Sequence, residues 1–338
     1  MPWNWPLRKR TPTVAYWAGQ SSPKSRTTKV IRAPVERSRV NSARLKTCSG
    51  VVGHYNSDVT IATSSVYGAA QLAVITPIAS NPAVTDRPNR TVFRYTNRDD
   101  ETATAIATYL YRVRWKSRAV LVETSTAYGE SMAREFKRAF TKVGGEIVSH
   151  HTVRDGEREF GMLVRSFPPD FDLLFYGGSF EGAHILRAMR AVGLAQLFAA
   201  GDGCWDLNNF LEPAGDASTA GEGVLVLSAT AEVGHIPGSQ SVADRYRQRY
   251  GPIGNYAINS YDSARVLIAA IEQSATSRAG LPDRRNVVAA LRQLKFQGIA
   301  YPNPLEWNDN GDNLAALTAL NVVDQGRFCE VAEIPRSG

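Results

Sequence analysis

From Val51 onward, short apolar runs alternate with longer segments whose apolar positions recur at helical spacing. Val51-Val52-Gly53 reads as the end of a strand, Ser57–Gln71 as a helix and Ala73–Thr76 as the next strand. Asp99–Arg114 reads as a helix with Asp99, Asp100 and Glu101 in its first turn, where the helix dipole favours acids. Strand runs follow at Ala119–Val122, Ile147–Val153, Leu173–Tyr176, Leu197–Ala200 and Val224–Leu227. Helical segments lie between most of them, clearest at Glu130–Val143 and Glu181–Val192. This alternation predicts an α/β fold with a parallel sheet covered by helices on both faces. After Thr230 the rhythm changes to three helices, Ser239–Tyr250, Ala257–Thr276 and Arg284–Leu294. Two extended segments, Ala316–Val323 and Arg327–Ile334, then flank Asp324-Gln325-Gly326 and predict a β-hairpin.

At 338 residues the chain exceeds one ordinary core and fits two domains. With 43% hydrophobic and 21% charged residues it is neither disordered nor collagen-like. Its longest apolar runs resemble Val266–Ile271, well short of the ~18 residues of a membrane-spanning helix. Cys48, Cys204 and Cys329 are too few and scattered for a disulfide framework or a zinc site, and whether Cys204 or Cys329 pairs is left open.

The net charge of +7 suggests a nucleic-acid partner until it is divided: residues 1–50 carry +10 and the remainder −3. Residues 1–50 also hold five prolines, and no helical or alternating pattern persists there. No apolar run fit for an export signal follows Arg8-Lys9-Arg10, and no helix-turn-helix is legible. This atypical basic segment reads as a tail, as a poorly packed replacement for a strand and helix, or as sequence not native to the fold. No nucleic-acid partner is expected.

The unusual residues cluster after strands, where open α/β sheets bind ligands. Gly53-His54-Tyr55-Asn56-Ser57, Thr76–Pro82, Ala127-Tyr128-Gly129-Glu130, Gly177-Gly178-Ser179-Phe180-Glu181 and Gly201-Asp202-Gly203 form polar loops on one edge, four of them with glycine. Singly, each has a structural reading: turn glycines, Ser57 and Ser80 as helix caps, Tyr128 as packing, Asp202 as a cap for Leu207–Leu211. Together they make a binding rim. No phosphate loop, dinucleotide fingerprint, nucleophile elbow or H-E-x-x-H pair occurs, so neither an enzyme nor a cofactor is expected. The sequon Asn89-Arg90-Thr91 is a common chance match.

These loops carry a resemblance. Val51–Tyr67, Ile75–Thr85, Tyr128-Gly129-Glu130, Phe175–Gly178 with the helix to Gly193-Leu194, Gly221–Val226 and Leu305–Asp312 match in order and spacing. Through them the chain resembles the leucine/isoleucine/valine type of periplasmic substrate-binding protein that serves ABC importers. The resemblance implies two Rossmann-like lobes joined by three hinge crossings, at 51–117 plus 230–297 and at 118–229 plus 298–338. It implies capture of an aliphatic amino acid between the lobes, delivery to a membrane permease, and a monomer in the periplasm. Ser57 and Ser80 match hydroxyls that hold the ligand α-carboxylate, and Ile78, with Ala79 beside it, matches a backbone carbonyl that meets the ammonium. Asp202 matches the acid that pairs with the ammonium, Tyr128 an aromatic closing over the ligand, and Phe180 a second aromatic near it. The family's first strand and helix are expected before Val51, where residues 1–50 do not show them. An amide or urea-type ligand and a non-functional product altered at its N-terminus are the alternative readings.

Overall fold

A computed structural model of the chain describes residues 13–16, 48–87, 90–215, 221–231, 233–275 and 282–334. The sequon's Asn89 and most of the basic segment lie outside these residues.

The first sheet runs β1 (Thr13–Tyr16), β2 (Cys48–Val52), β3 (Ala73–Thr76) and β4 (Val92–Arg94), all parallel. Strand β1 corrects the expectation that residues 1–50 hold no strand of the fold. Only four residues, Thr-Val-Ala-Tyr, pair with β2, so the run is too short to stand out among the surrounding prolines and basic residues. Helix α1 (Ser57–Ala69) follows β2.

The second sheet takes β5 (Arg118–Thr124), β6 (Glu146–Val153), β7 (Leu173–Gly177), β8 (Leu197–Ala200), β9 (Leu225–Ser228), β10 (Thr318–Asp324) and β11 (Arg327–Ile334) in the order β11-β10-β9-β8-β7-β5-β6. It is parallel from β6 to β9, whereas the β10–β11 hairpin joins β9 antiparallel. Alternate residues of one strand enter different cores: Val120 and Val122 pack in one cluster, Ala119 and Leu121 in another. Burial on both faces is why these strands read as continuous apolar runs.

The helices on this sheet include α2 (Asp99–Arg112), α3 (Ala127–Lys142), α4 (Gly161–Arg165) and α5 (Glu181–Ala191). Helix α2 presents Ala103, Ile106, Ala107 and Leu110 as one stripe to Phe136 and Phe140 of α3 and to the second sheet. Helices α6 (Gln240–Tyr250), α7 (Ala257–Ser274) and α8 (Arg284–Gln293) pack on the first sheet, with Val266, Leu267 and Leu291 against Val52 and Ile75. Tyr301, Leu305 and Trp307 are buried in that same cluster.

The chain thus passes between sheets near Asn97, near Ala229-Thr230 and near Leu317-Thr318. Side chains tie these crossings together. Asn97 Nδ2 donates to Leu317 O at 3.0 Å and to Thr318 Oγ1 at 2.5 Å. The Tyr301 hydroxyl donates to Ala229 O at 2.9 Å, and Thr230 Oγ1 to Ala300 O at 3.3 Å.

Candidate functional site

Six strands of the two sheets, β2, β3, β5, β6, β7 and β8, end at one cleft. Its lining gathers Ser57, Ile78, Ala79 and Ser80 from the first sheet's loops with Tyr128 and Asp202 from the second's. Phe180 is not in that lining; it stands at the start of α5, 42% exposed, while its neighbours Ser179 and Glu181 do face the cleft. The cleft is narrow, about 50 Å³, against the about 150 Å³ of a cavity that takes benzene. That is room for a few waters, and its walls must part to admit a ligand the size of an amino acid. A wider cavity of about 420 Å³, lined by Ile236, Ile299 and Tyr301 among others, gathers none of the strand-end residues singled out above.

Ser57 opens α1, whose N-cap is Asn56, and its Oγ accepts the Asn81 N–H at 3.3 Å. Ser57 and Ser80 are both buried. Across the cleft, Thr126 caps α3 by accepting the Gly129 N–H at 3.0 Å, which sets Tyr128 on that helix's first turn. The Tyr128 hydroxyl donates to Asp202 Oδ1 at 2.7 Å. Glycines permit this approach: a Cβ on Gly201 would come within 2.6 Å of the Tyr128 hydroxyl, and one on Gly203 within 2.5 Å of Gly178 O. Asp202 does not cap the turn Leu207–Leu211; Asp206 does, accepting from Asn208 and Asn209 N–H.

Sequence reasoning missed Tyr256, whose hydroxyl reaches from the residue before α7 to Asp202 O at 2.8 Å and Asp202 Oδ2 at 3.3 Å. It sits far along the chain in no recognisable motif. The two sides also touch directly: Asp58 Oδ1 accepts the Ala127 N–H at 2.9 Å, and Asn81 Nδ2 donates to Ala127 O at 2.6 Å.

The lining carries four carboxylates, Asp58, Asp155, Glu181 and Asp202, and no lysine or arginine. Burial pushes the Asp202 carboxyl up, against the hydroxyls of Tyr128 and Tyr256, which favour its ionised form. Burial, with Glu181 and Asp58 nearby, also raises Asp155. Such a cleft favours a positively charged group on its ligand, while a negative group must rely on hydroxyls and on the N–H groups at the start of α1. Among the described residues, no three His, Cys, Asp or Glu side chains could hold a metal, and no helix is long and apolar enough to cross a membrane. Cys48, Cys204 and Cys329 are all free.

Residues 40–326 match the family described as periplasmic binding protein, and the chain belongs to that family. Within it, the chain is similar to an amino acid binding protein of Pseudomonas aeruginosa, 29% identical over 78% of this chain and 68% of the relative. It is 27% identical to a Leu/Ile/Val-binding protein of Citrobacter freundii over the same shares. Among solved structures, an ABC transporter substrate-binding protein from Desulfitobacterium hafniense in complex with leucine shares the fold, with a TM-score of 0.68 and 26% identity over 86% of this chain and 82% of that one.

Proposed function

We propose that the protein is the solute-binding component of an ABC importer. It captures an α-amino acid, of the branched-chain class that the relatives' names give, and delivers it to a membrane permease in the periplasm as a monomer. The observation that carries this reading is the pairing of groups across one cleft. Ser57 and Ser80 offer hydroxyls for the α-carboxylate from one side. Asp202, aimed by Tyr128 and Tyr256, offers a carboxylate for the α-ammonium from the other. Ile78, Ala79 and the Tyr128 ring supply the apolar contact.

The lobes hinge where the chain crosses between sheets. The first lobe takes residues 13–16, 48–96 and 231–316, and the second 99–229 with 318–334. These bounds move α2 to the second lobe and Tyr301–Trp307 to the first, relative to the division the resemblance implies, because their side chains pack in those cores.

A thermal-shift screen of amino acids and amides tests the reading. A ligand at 100 times its dissociation constant adds about 2.7 kcal/mol of stability. Leucine, isoleucine or valine should raise the melting temperature. Stabilisation by neutral amides and by no amino acid would favour the amide-type alternative instead.

A further inference from the structure

Among the described residues, Asp99 stands apart from the other buried acids beside the cleft. It is the first residue of α2, fully buried, and neither carboxyl oxygen has a hydrogen-bond partner. An acid in that position is costly unless it keeps its proton. It lies one layer behind the lining, at the crossing between sheets. Its own N–H donates to Ser80 O at 3.0 Å. The hydroxyls of Ser80 and of Ser131 on α3 favour its ionised form, yet neither forms a hydrogen bond to the carboxyl in this structure.

We propose that Asp99 is a positioning residue for ligand capture: protonated, and tied to Ser80 through its own N–H, it donates to the Ser80 hydroxyl as the cleft closes on a ligand and so turns that hydroxyl's own proton toward the ligand carboxylate. This rests on the cleft being an amino-acid site. The Ser80 hydroxyl has one proton to give. If Asp99 ionises, it takes that proton as an acceptor, and Ser80 then faces the ligand carboxylate with lone pairs only. The new charge also repels the carboxylate directly. No lysine or arginine in the lining offsets either effect.

The charged and titratable groups facing Asp99 are Asp202, Tyr128 and Arg94. Burial, with Asp202 adding to it, pushes the Asp99 carboxyl up to about 7, against Ser80, Ser131 and Arg94. Tyr128 is held neutral, its hydroxyl pushed well above the usual tyrosine value. Asp202 acts with the opposite sign: protonating it removes the partner of the ammonium and weakens binding as pH falls. Ionising Asp99 weakens binding as pH rises.

Calorimetric titration with leucine between pH 5.5 and 8.5, in two buffers of different ionisation enthalpy, separates the two for wild type and D99N. Wild type should lose affinity above pH 7, approaching ~10-fold per pH unit, and take up a proton on binding there. D99N keeps a donor and cannot ionise, so its alkaline limb should be flat and its proton uptake absent. An alkaline loss unchanged in D99N would overturn the proposal, as would a wild type that exchanges no proton between pH 6.5 and 8.5; the latter decides even if D99N fails to fold. Leucine binding with a flat profile sinks this proposal alone, whereas no binding of any amino acid at any pH sinks the cleft reading with it.

Discussion

The Tyr128 hydroxyl stands 2.7 Å from Asp202 Oδ1 and accepts the Gly203 N–H at 2.9 Å, so one phenol holds both the acid and the loop that carries it. Tyr256 grips the same residue from the other lobe. The Tyr128 contact lies within one lobe and persists when the lobes part, so on the reading proposed above the carboxylate is aimed before a ligand arrives, whereas the Tyr256 contact re-forms on closure. Asp202→Ala should weaken leucine binding by roughly 2–5 kcal/mol, the range for truncating one member of a buried charge pair. Asp202→Asn should weaken it as well, since it keeps the shape and loses the charge. Tyr128→Phe should cost about 1–3 kcal/mol by leaving Asp202 and the Gly203 N–H short of a partner. Calorimetric titration of each variant checks the order.

Asp99 also predicts how stability depends on pH without ligand. Its folded-state carboxyl, near 7 against 3.8 when free, binds more protons than in the unfolded chain. Stability from this group is full below 3.8 and is lost as pH rises through about 7. Urea unfolding at pH 5.5 and 8 should show wild type losing stability toward pH 8 and D99N losing less. An equal loss in both would assign the slope to other groups.

The buried Arg94–Asp312 pair, 2.8 Å apart, runs the other way. Burial alone would raise Asp312, but Arg94, Thr85 and Arg98 hold it down to about 2. A depressed carboxyl contributes stability above its unfolded value that is lost as pH falls from about 4 toward 2. Asp312→Ala should destabilise the protein by about 3–5 kcal/mol, because Arg94 is left buried and uncompensated. Chemical denaturation at pH 7 measures it; a loss below 1 kcal/mol would mean that water or another group replaces the carboxylate.

Asp58 and Asn81, which both bond to the backbone of Ala127, help hold the cleft closed alongside Tyr256 on Asp202. Removing both contacts with D58A/N81A should favour a wider cleft. Small-angle scattering should then give a larger radius of gyration for the ligand-free variant than for wild type, and saturating leucine should shrink it. Identical radii in all states would count against a hinge.

Much of this was legible in the chain. The doubly buried strands announce themselves as apolar runs, and Ser57, Ser80, Tyr128 and Asp202 stand out because they lie in polar loops that follow those runs, the last two beside glycine. Three features were not legible. Strand β1 is four residues long and gains its identity only by pairing with Cys48–Val52. Tyr256 reaches Asp202 across 54 positions of sequence, a closeness that only tertiary packing creates. Asp99 looks in sequence like one of three acids suited to a helix start; its isolation arises because the helix end is buried at the crossing.

The central claim is that the cleft recognises both charges of a zwitterion, and three ligands of the same branched skeleton test it directly. Leucine carries both charges, leucinamide lacks the carboxylate and 4-methylpentanoate lacks the ammonium. Calorimetric titration of the wild-type protein at pH 6.5 should show leucine binding most tightly. Leucinamide should lose the Ser57 and Ser80 contacts, and 4-methylpentanoate the Asp202 pairing, each at a cost of at least ~10-fold in affinity. If 4-methylpentanoate bound as tightly as leucine, Asp202 would have no ammonium to hold and the account of this cleft would be wrong.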